Sequence, residues 1–195
     1  MVDSLVHPPM TPEQFTEPRW ARFLFASQAA AWLWLVLRLY AAYVYLPAGW
    51  HKITSGWIGG DGSQIMGMVS GAVAAEGTPS WYVWFLQNIV QPNASLFATL
   101  VALGELAIGL GLLVGLLTGI AAFFMVFVSG NFVLAGSLGS NPALIIIGLL
   151  LALAWRNAGW IGLDRWFIPY MHRRFWAGTD GTTVPGSRTA TPNAT

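Results

Sequence analysis

Two charged side chains, Arg38 and Glu105, interrupt long apolar stretches of the sequence and are its strongest candidates for chemistry. A carboxyl group in an apolar environment is suited to proton transfer, and a guanidinium can orient and polarise an oxygen atom. An unpaired charge at the centre of a bilayer costs about 2.5–3.5 kcal/mol or more. Each of the two residues lies about ten residues, or roughly 15 Å of α-helix, from the start of its apolar stretch. Equal depth and opposite charge predict a direct Arg38–Glu105 ion pair.

This predicted pair has a functional and a structural interpretation. In the functional one, Arg38 and Glu105 line a polar pocket or a proton path within the membrane. In the structural one, the pair fixes the register of two helices, as buried ion pairs often do without taking part in chemistry. The sequence alone leaves both interpretations open.

Three further residues are candidates for binding a ligand or cofactor. Asn131 lies in another apolar stretch, where an amide needs a partner across a helix interface, and it is a candidate to complete the Arg38–Glu105 cluster. Tyr45 offers a hydroxyl group, and His51 lies at the end of the first apolar stretch. Each also has a simpler explanation: a structural hydrogen bond for Asn131, aromatic packing for Tyr45 and a solvated imidazole for His51.

Haem, iron–sulfur clusters and metal sites are not expected. A haem held by two histidines requires two that face each other in the membrane, whereas His7 and His172 are predicted to lie at the opposite end from His51. The sequence has no cysteine, which excludes disulfides, thiolate metal sites and iron–sulfur clusters on this chain. It also has no phosphate-binding loop and no nucleophile elbow.

The composition indicates a membrane protein of one domain. Of the 195 residues, 55% are hydrophobic and 9% are charged, whereas a soluble domain carries about 25% charged residues. The formal net charge of +1 gives no strongly basic face, which argues against nucleic acid as a partner. The lipid bilayer is therefore the expected environment of the chain.

Four apolar stretches predict an all-α membrane protein, a four-transmembrane-helix bundle with interfacial amphipathic helices. The predicted spans are 28–50, 94–117, 118–136 and 142–156. The predicted organisation is a polar N-terminal segment at 1–26, a membrane domain at 27–176 with an external loop at 51–93, and a disordered tail at 177–195. Two stretches, 80–90 and 164–176, are predicted as helices in the membrane interface, with an irregular capping loop as the alternative for the first.

The arginines predict the orientation of the bundle. Arg19 and Arg22 precede the first span, and further arginines follow the fourth, whereas the loop at 51–93 carries only Lys52. The positive-inside rule then places both termini in the cytoplasm. Gly111, Gly115 and Gly119 repeat at every fourth position and predict a small-residue ridge for close helix packing.

Several short motifs, in this order and spacing, resemble the DoxX/DoxD family of prokaryotic four-helix membrane proteins. They are Leu37–Leu39, Gly49–Lys52, Gly104–Gly109, Gly130–Phe132, Trp155–Gly159 and Gly162–Trp166. The resemblance covers roughly residues 27–170. It implies location in the cytoplasmic membrane of a prokaryote, and Arg38 and Glu105 match the charged positions of the family within the membrane.

The resemblance also implies a function. The DoxD branch is the membrane-embedded small subunit of thiosulfate:quinone oxidoreductase, in which a separate subunit handles the sulfur compound. On this hypothesis quinone is the cofactor, Arg38 orients and polarises a quinone oxygen, and Glu105 donates or accepts a proton. The alternative is a non-catalytic accessory subunit of a larger respiratory or photosynthetic membrane complex. A small transporter is disfavoured because the sequence shows no duplicated broken helix.

Overall fold

Helices make up the regular structure of the computed structural model, which describes residues 18–175 and contains no strand within that range. The α-helices are α1 Arg19–Ala26, α2 Ala31–Thr54, α3 Ser63–Ala74, α4 Ser80–Phe85, α5 Ala94–Val114, α6 Thr118–Leu134, α7 Asn141–Leu153, α8 Trp155–Ala158 and α9 Asp164–Phe175. The all-α prediction is confirmed for these residues. Most of the predicted N-terminal segment, and the whole of the predicted disordered tail at 177–195, lie outside the described residues.

Two helical segments are long and apolar enough to cross a membrane. They are Gln28–Thr54, with 27 residues, and Ser80–Val114, with 35 residues, and a crossing needs about 20. By contrast, α6 has 17 residues and α7 has 13. Length and hydropathy therefore identify two candidate membrane-spanning helices and leave α6 and α7 as shorter apolar helices.

The segment at 80–90, predicted as a separate interfacial helix, instead continues into α5. Pro92 cannot donate the backbone hydrogen bond of an α-helix. The chain passes this point through a π turn at Leu86–Val90 and a 3₁₀ turn at Gln91–Asn93. The Asn93 side-chain amide donates to the Ile89 carbonyl at 2.9 Å, which satisfies one backbone acceptor at the irregular turns. The result is one long helical segment with a local change of winding.

Helix α3 was missed in the predicted external loop at 51–93. Its Ile65, Val69 and Ala72 are buried, at the i, i+4, i+7 spacing of an amphipathic helix. They pack against Tyr82 and Leu86 in a second apolar core beside the main bundle. Gly67 and the other small residues of α3 weaken the sequence signal, because glycine disfavours helix by about 1 kcal/mol.

Close contacts at glycines set the register of the bundle, in which α2 packs mainly on α5 and α6 mainly on α7. A Cβ atom on Gly49 would lie 2.5 Å from the Leu106 nitrogen, and one on Gly109 would lie 2.8 Å from Leu46 Cγ. These two positions therefore fix α2 against α5 with almost no space between the backbones.

The predicted ridge at Gly111, Gly115 and Gly119 is wrong as a single helix face. Gly115 follows the last residue of α5 with φ +67°, a conformation that glycine adopts readily, and Gly119 lies on α6 against Trp155. The turn between the two helices is thus at residues 115–117.

The first and last parts of the described chain meet at one end of the bundle. The Asn157 side-chain amide donates to the Leu24 carbonyl at 3.0 Å and to the Ser27 carbonyl at 2.7 Å. The Trp34 indole also donates to the Leu24 carbonyl, at 2.8 Å. These bonds hold α1 against α2 and α8. We call this the arginine end, because Arg19, Arg22, Arg156 and Arg165 lie on or next to these segments.

Candidate functional site

Glu105 forms its ion pair with Lys52. The Lys52 Nζ atom lies 2.5 Å from Glu105 Oε2, and 4% of the Glu105 side chain and 16% of the Lys52 side chain are exposed. An oxygen accepting from an ammonium forms a strong, charge-assisted hydrogen bond. The carboxylate on α5 is therefore neutralised by the last turn of α2.

The predicted Arg38–Glu105 pair is wrong because the two residues lie at different heights. The close approach of Gly49 to Glu105 and Leu106 places Glu105 beside that part of α2. Arg38 lies roughly eleven residues, or about 16 Å of helix, before Gly49 on α2. The prediction took residue 94 as the point where this helix enters the membrane, whereas the contact with Gly49 places Glu105 near the end of α2 that carries Lys52. It therefore assigned Glu105 to the wrong level of the bundle.

Arg38 holds the chain that follows α7. Its guanidinium donates to the carbonyl of Ala158 at 3.0 Å and to that of Ile161 at 2.6 Å, and the residue is 2% exposed. Gly115 and Gly162 lie directly against the guanidinium, and a side chain at either would overlap it. The surroundings of Arg38 are thus those of a structural residue.

Asp164 supplies a negative charge near Arg38. Its buried carboxylate accepts hydrogen bonds from the Leu117 nitrogen at 2.6 Å and the Thr118 nitrogen at 2.9 Å. Unpaired N–H groups at the start of a helix are favourable positions for a carboxylate. Asp164 therefore caps α6 from the first residue of α9, and sequence reasoning had not assigned it this role.

A cavity of about 330 Å³ adjoins the Lys52–Glu105 pair. Ligand pockets typically measure about 300–1,000 Å³. Polar and apolar side chains share its wall, which is formed by Val44, Tyr45, Ala48, Lys52, Trp57, Met68, Glu105, Phe132, Ser137, Ser140, Asn141 and Leu144. Ser137 and Ser140 belong to the exposed loop between α6 and α7, so the cavity lies at the end of the bundle opposite the arginine end. We call it the Lys52 cavity.

Aromatic rings complete the surroundings of Lys52. Its Nζ atom lies 5.2 Å from the centre of the Trp57 ring and 5.7 Å from that of the Phe132 ring. Both distances are within the range of cation–π attraction. The ammonium group thus has a carboxylate and two aromatic rings as neighbours on the wall of the cavity.

Tyr45 shares this cavity with Glu105. Its hydroxyl lies 2.7 Å from the Ser129 hydroxyl oxygen and donates to the Met125 carbonyl at 3.2 Å. The structure therefore brings together two of the predicted site residues, Tyr45 and Glu105, although their roles stay predictions.

The other predicted ligand-binding residues lie elsewhere. Asn131 donates to the Phe127 carbonyl at 2.8 Å and accepts from the Tyr82 hydroxyl, and it lines a neighbouring apolar cavity. His51 is exposed and is not part of the wall of the Lys52 cavity. Asn131 does not contact Arg38 within the described hydrogen bonds and ion pairs, so the predicted completion of an Arg38–Glu105 cluster by Asn131 is wrong.

Lys52, Trp57 and Phe132 were not predicted as site residues. Lys52 is the single lysine of the sequence and follows His51 in the quoted motif, which was a usable signal. Phe132 ends the quoted Gly130–Phe132 motif, whereas Trp57 carried no comparable signal, because aromatic residues abound in this chain. Across residues 18–175, no group of three or more His, Asp or Glu side chains lies close enough to hold a metal ion.

Comparison with known proteins identifies the family. Residues 33–135 match the family model of DoxX, which is just over half of the chain. The chain belongs to the DoxX family. Its membership supports a membrane protein embedded in lipid. The matched range contains Lys52 and Glu105, so the ion pair beside the cavity lies within the DoxX domain. No curated protein and no solved structure matches the chain significantly.

Proposed function

We propose that this DoxX-family chain is the quinone-side membrane subunit of an oxidoreductase, and that the Lys52 cavity binds the quinone head group. The observation that carries the proposal is the buried Lys52–Glu105 pair on the wall of a cavity that also has aromatic walls. A quinone ring presents two carbonyl oxygens that accept hydrogen bonds and two flat apolar faces. The cavity offers matching groups for both features.

Each side chain has a distinct role in this proposal. Lys52 donates a hydrogen bond to one quinone oxygen, and Trp57 and Phe132 pack against the ring. Glu105, which is ionised in its pair with Lys52, takes up a proton from solvent as the quinone is reduced and passes it to that oxygen. Tyr45, whose hydroxyl is already hydrogen-bonded to Ser129, lines the same wall. Arg38 has no part in this chemistry.

The electrons come from a partner subunit that oxidises a sulfur compound, thiosulfate in the DoxD-like case. Reduction of one quinone to quinol consumes two electrons and two protons. The partner supplies the electrons, Glu105 relays one proton, and the second proton reaches the other quinone oxygen from solvent. This division explains why a chain with no cysteine can belong to a sulfur-oxidising enzyme.

We further propose that α6 and α7 cross the membrane together with the longer α2 and α5. Large apolar side chains are exposed on each of them, which is typical of a lipid-facing surface. Examples are Val36 on α2, Leu100 on α5, Phe123 on α6 and Ile146 on α7. With α1 and α9 at the arginine end, the positive-inside rule places that end in the cytoplasm.

The absence of native cysteine allows a direct test of this topology. Single-cysteine variants Ala75→Cys and Ser137→Cys, both at exposed positions, should react with a membrane-impermeant maleimide only from the external side. Leu163→Cys should react only after the membrane is opened. Labelling of Ser137→Cys and Ala75→Cys from opposite sides would show that α6 does not cross with the other helices.

Activity tests the oxidoreductase role. The chain, extracted in mild detergent with its copurifying partner, should reduce quinone when thiosulfate is added. Glu105→Gln should slow this reaction by about 10²–10⁴-fold, the usual contribution of a general acid, whereas His51→Gln should leave the rate unchanged. Copurification with a large respiratory or photosynthetic complex, and a Glu105→Gln rate equal to that of the wild type, would instead support the accessory role.

A further inference from the structure

Three cavities lie in series between the membrane-facing surface and the Lys52 cavity. A groove of about 730 Å³ between α5 and α6 shares Phe97, Val101, Phe127 and Val128 with a middle cavity of about 130 Å³. The middle cavity in turn shares Met68 and Phe132 with the Lys52 cavity. Each boundary is thus formed by side chains that contact the space on both sides.

The chemical character changes along this series. The groove is lined by apolar side chains and glycines. Its Leu100 and Phe127 are more than half exposed, within the lipid-facing apolar surface. In the middle cavity, only the Tyr82 hydroxyl and the Asn131 amide add polar atoms to an apolar wall. The series therefore runs from a fully apolar opening to a cavity with a charged pair at its far end.

We infer that this series, which we call the apolar track, binds the isoprenoid tail of a quinone whose head group occupies the Lys52 cavity. The inference rests on the proposed function. A tailless, water-soluble quinone would have no use for an apolar track that opens on the lipid-facing surface. A ligand with an oxygen-bearing ring and a long hydrocarbon tail matches both ends of the series at once.

Two side chains separate the middle cavity from the Lys52 cavity and must move to join them. Met68 is unbranched and flexible, so it can change rotamer at little energetic cost. Phe132 is held near Lys52 by the cation–π contact. A quinone oxygen that attracts the Lys52 ammonium would weaken this contact. Binding of the head group and opening of the track are therefore coupled through Lys52.

Gly104 is a position at which a substitution can fill the groove without disturbing the fold. It lines the groove, and a Cβ atom there would have no neighbour within 4 Å. Gly104→Phe should therefore fill the groove, and Leu100→Trp should narrow it from an exposed position. Gly71→Phe is the matched control, because Gly71 is exposed on α3 and also has free space around its Cβ position.

The experiment compares the binding of an isoprenoid-tailed quinone and of a tailless benzoquinone to protein in lipid nanodiscs. Gly104→Phe and Leu100→Trp should raise the Kd of the tailed quinone by about tenfold or more and that of the tailless quinone by less than about twofold. Gly71→Phe should leave both Kd values unchanged, and Lys52→Met should raise both.

The outcomes separate the track from the head-group site. If folded Gly104→Phe and Leu100→Trp proteins weaken both quinones equally, or neither, the track is overturned and the head-group site stands. The proposed function and the apolar track are both contradicted if the wild type does not bind the tailless quinone. They are also contradicted if Lys52→Met and the wild type bind the tailless quinone with the same affinity.

Discussion

Lys52 and Glu105 face each other across the α2–α5 interface, with 2.5 Å between the lysine nitrogen and a carboxylate oxygen. Gly49, one helical turn before Lys52, allows the backbone of α5 to approach closely enough for this contact. The same register holds Arg38 near the other end of the bundle, where it binds backbone carbonyls. A packing contact between two helices thus determines which charge neutralises the buried acid.

The two partners of this pair should differ in how badly their loss is tolerated. Lys52→Met leaves Glu105 buried without a counter-charge, and we expect it to lower the free energy of unfolding by about 3–5 kcal/mol. Glu105→Leu should cost less, because the longer and more exposed Lys52 side chain can move its ammonium toward water. The Lys52→Met/Glu105→Leu double variant should recover most of the loss. Thermal unfolding in detergent measures all three.

The same measurement distinguishes this pair from the one expected from the sequence. Arg38→Met and Glu105→Leu should have additive effects, within about 0.5 kcal/mol, because the residues share no partner. A strong recovery in the Arg38→Met/Glu105→Leu double variant would contradict the register described for α2 and α5.

Two glycine substitutions test the helix contact. In Gly49→Ala the new Cβ meets backbone atoms of Leu106 that cannot move aside, and we expect a loss of about 1–3 kcal/mol of stability. Gly104→Ala on α5 is the matched control, since nothing lies within 4 Å of its Cβ position. It should be neutral or stabilising by up to about 1 kcal/mol, because alanine favours helix. Equal effects at the two sites would refute the close α2–α5 approach.

Arg38 should prove structural. In Arg38→Met, the Ala158 and Ile161 carbonyls lose their donors, and each unsatisfied group costs about 1–3 kcal/mol. The expected result is a lower melting temperature with an unchanged Kd for quinone in the protein that remains folded. An unchanged melting temperature together with lost quinone binding would return Arg38 to the binding site.

The Asp164 cap should stabilise the start of α6. Asp164→Ala removes both acceptors of the Leu117 and Thr118 N–H groups. Loss of a helix cap costs roughly 0.5–2 kcal/mol of stability, and we expect this variant to lose about 2 kcal/mol or more. Asp164→Asn keeps one acceptor oxygen and should lose less. Asp61→Ala is a control, since the exposed Asp61 carboxylate accepts a hydrogen bond, at 2.9 Å from the Ser63 nitrogen at the start of α3. A larger effect at Asp61 than at Asp164 would contradict the capping role.

The long apolar helices could be predicted from the sequence because their hydropathy is continuous. The ends of α2 and α5 were placed within a few residues, and Pro142 marked the start of α7 at its second position. The continuity of α4 with α5 could not be predicted, because Pro92 normally signals a break. Whether a proline ends a helix depends on neighbours that satisfy the freed groups, which is tertiary information.

The site was predicted only in part, for a geometric reason. Glu105 and Tyr45 were identified because a charge and a hydroxyl in apolar helices are unusual. The predicted partner of Glu105 was wrong, because sequence position gives the depth of a residue in the membrane only when the point of membrane entry is known. One glycine contact at Gly49 shifts the register by several turns relative to the expected one. Contacts of this kind depend on both helices and leave no signal in either sequence segment alone.

The most direct test of the account is a map of where a quinone ring contacts this chain. A quinone with a photoreactive group on its ring is added to the protein in lipid nanodiscs, and the sample is irradiated. Mass spectrometry then identifies the labelled residues. A quinone ring bound in the Lys52 cavity should label Met68, Phe132 or Leu144 on its wall, and this labelling should be abolished by excess unlabelled quinone and reduced in Glu105→Gln. Labelling confined to lipid-facing residues such as Phe123 and Ile146, with no competition by unlabelled quinone, would contradict binding in this cavity.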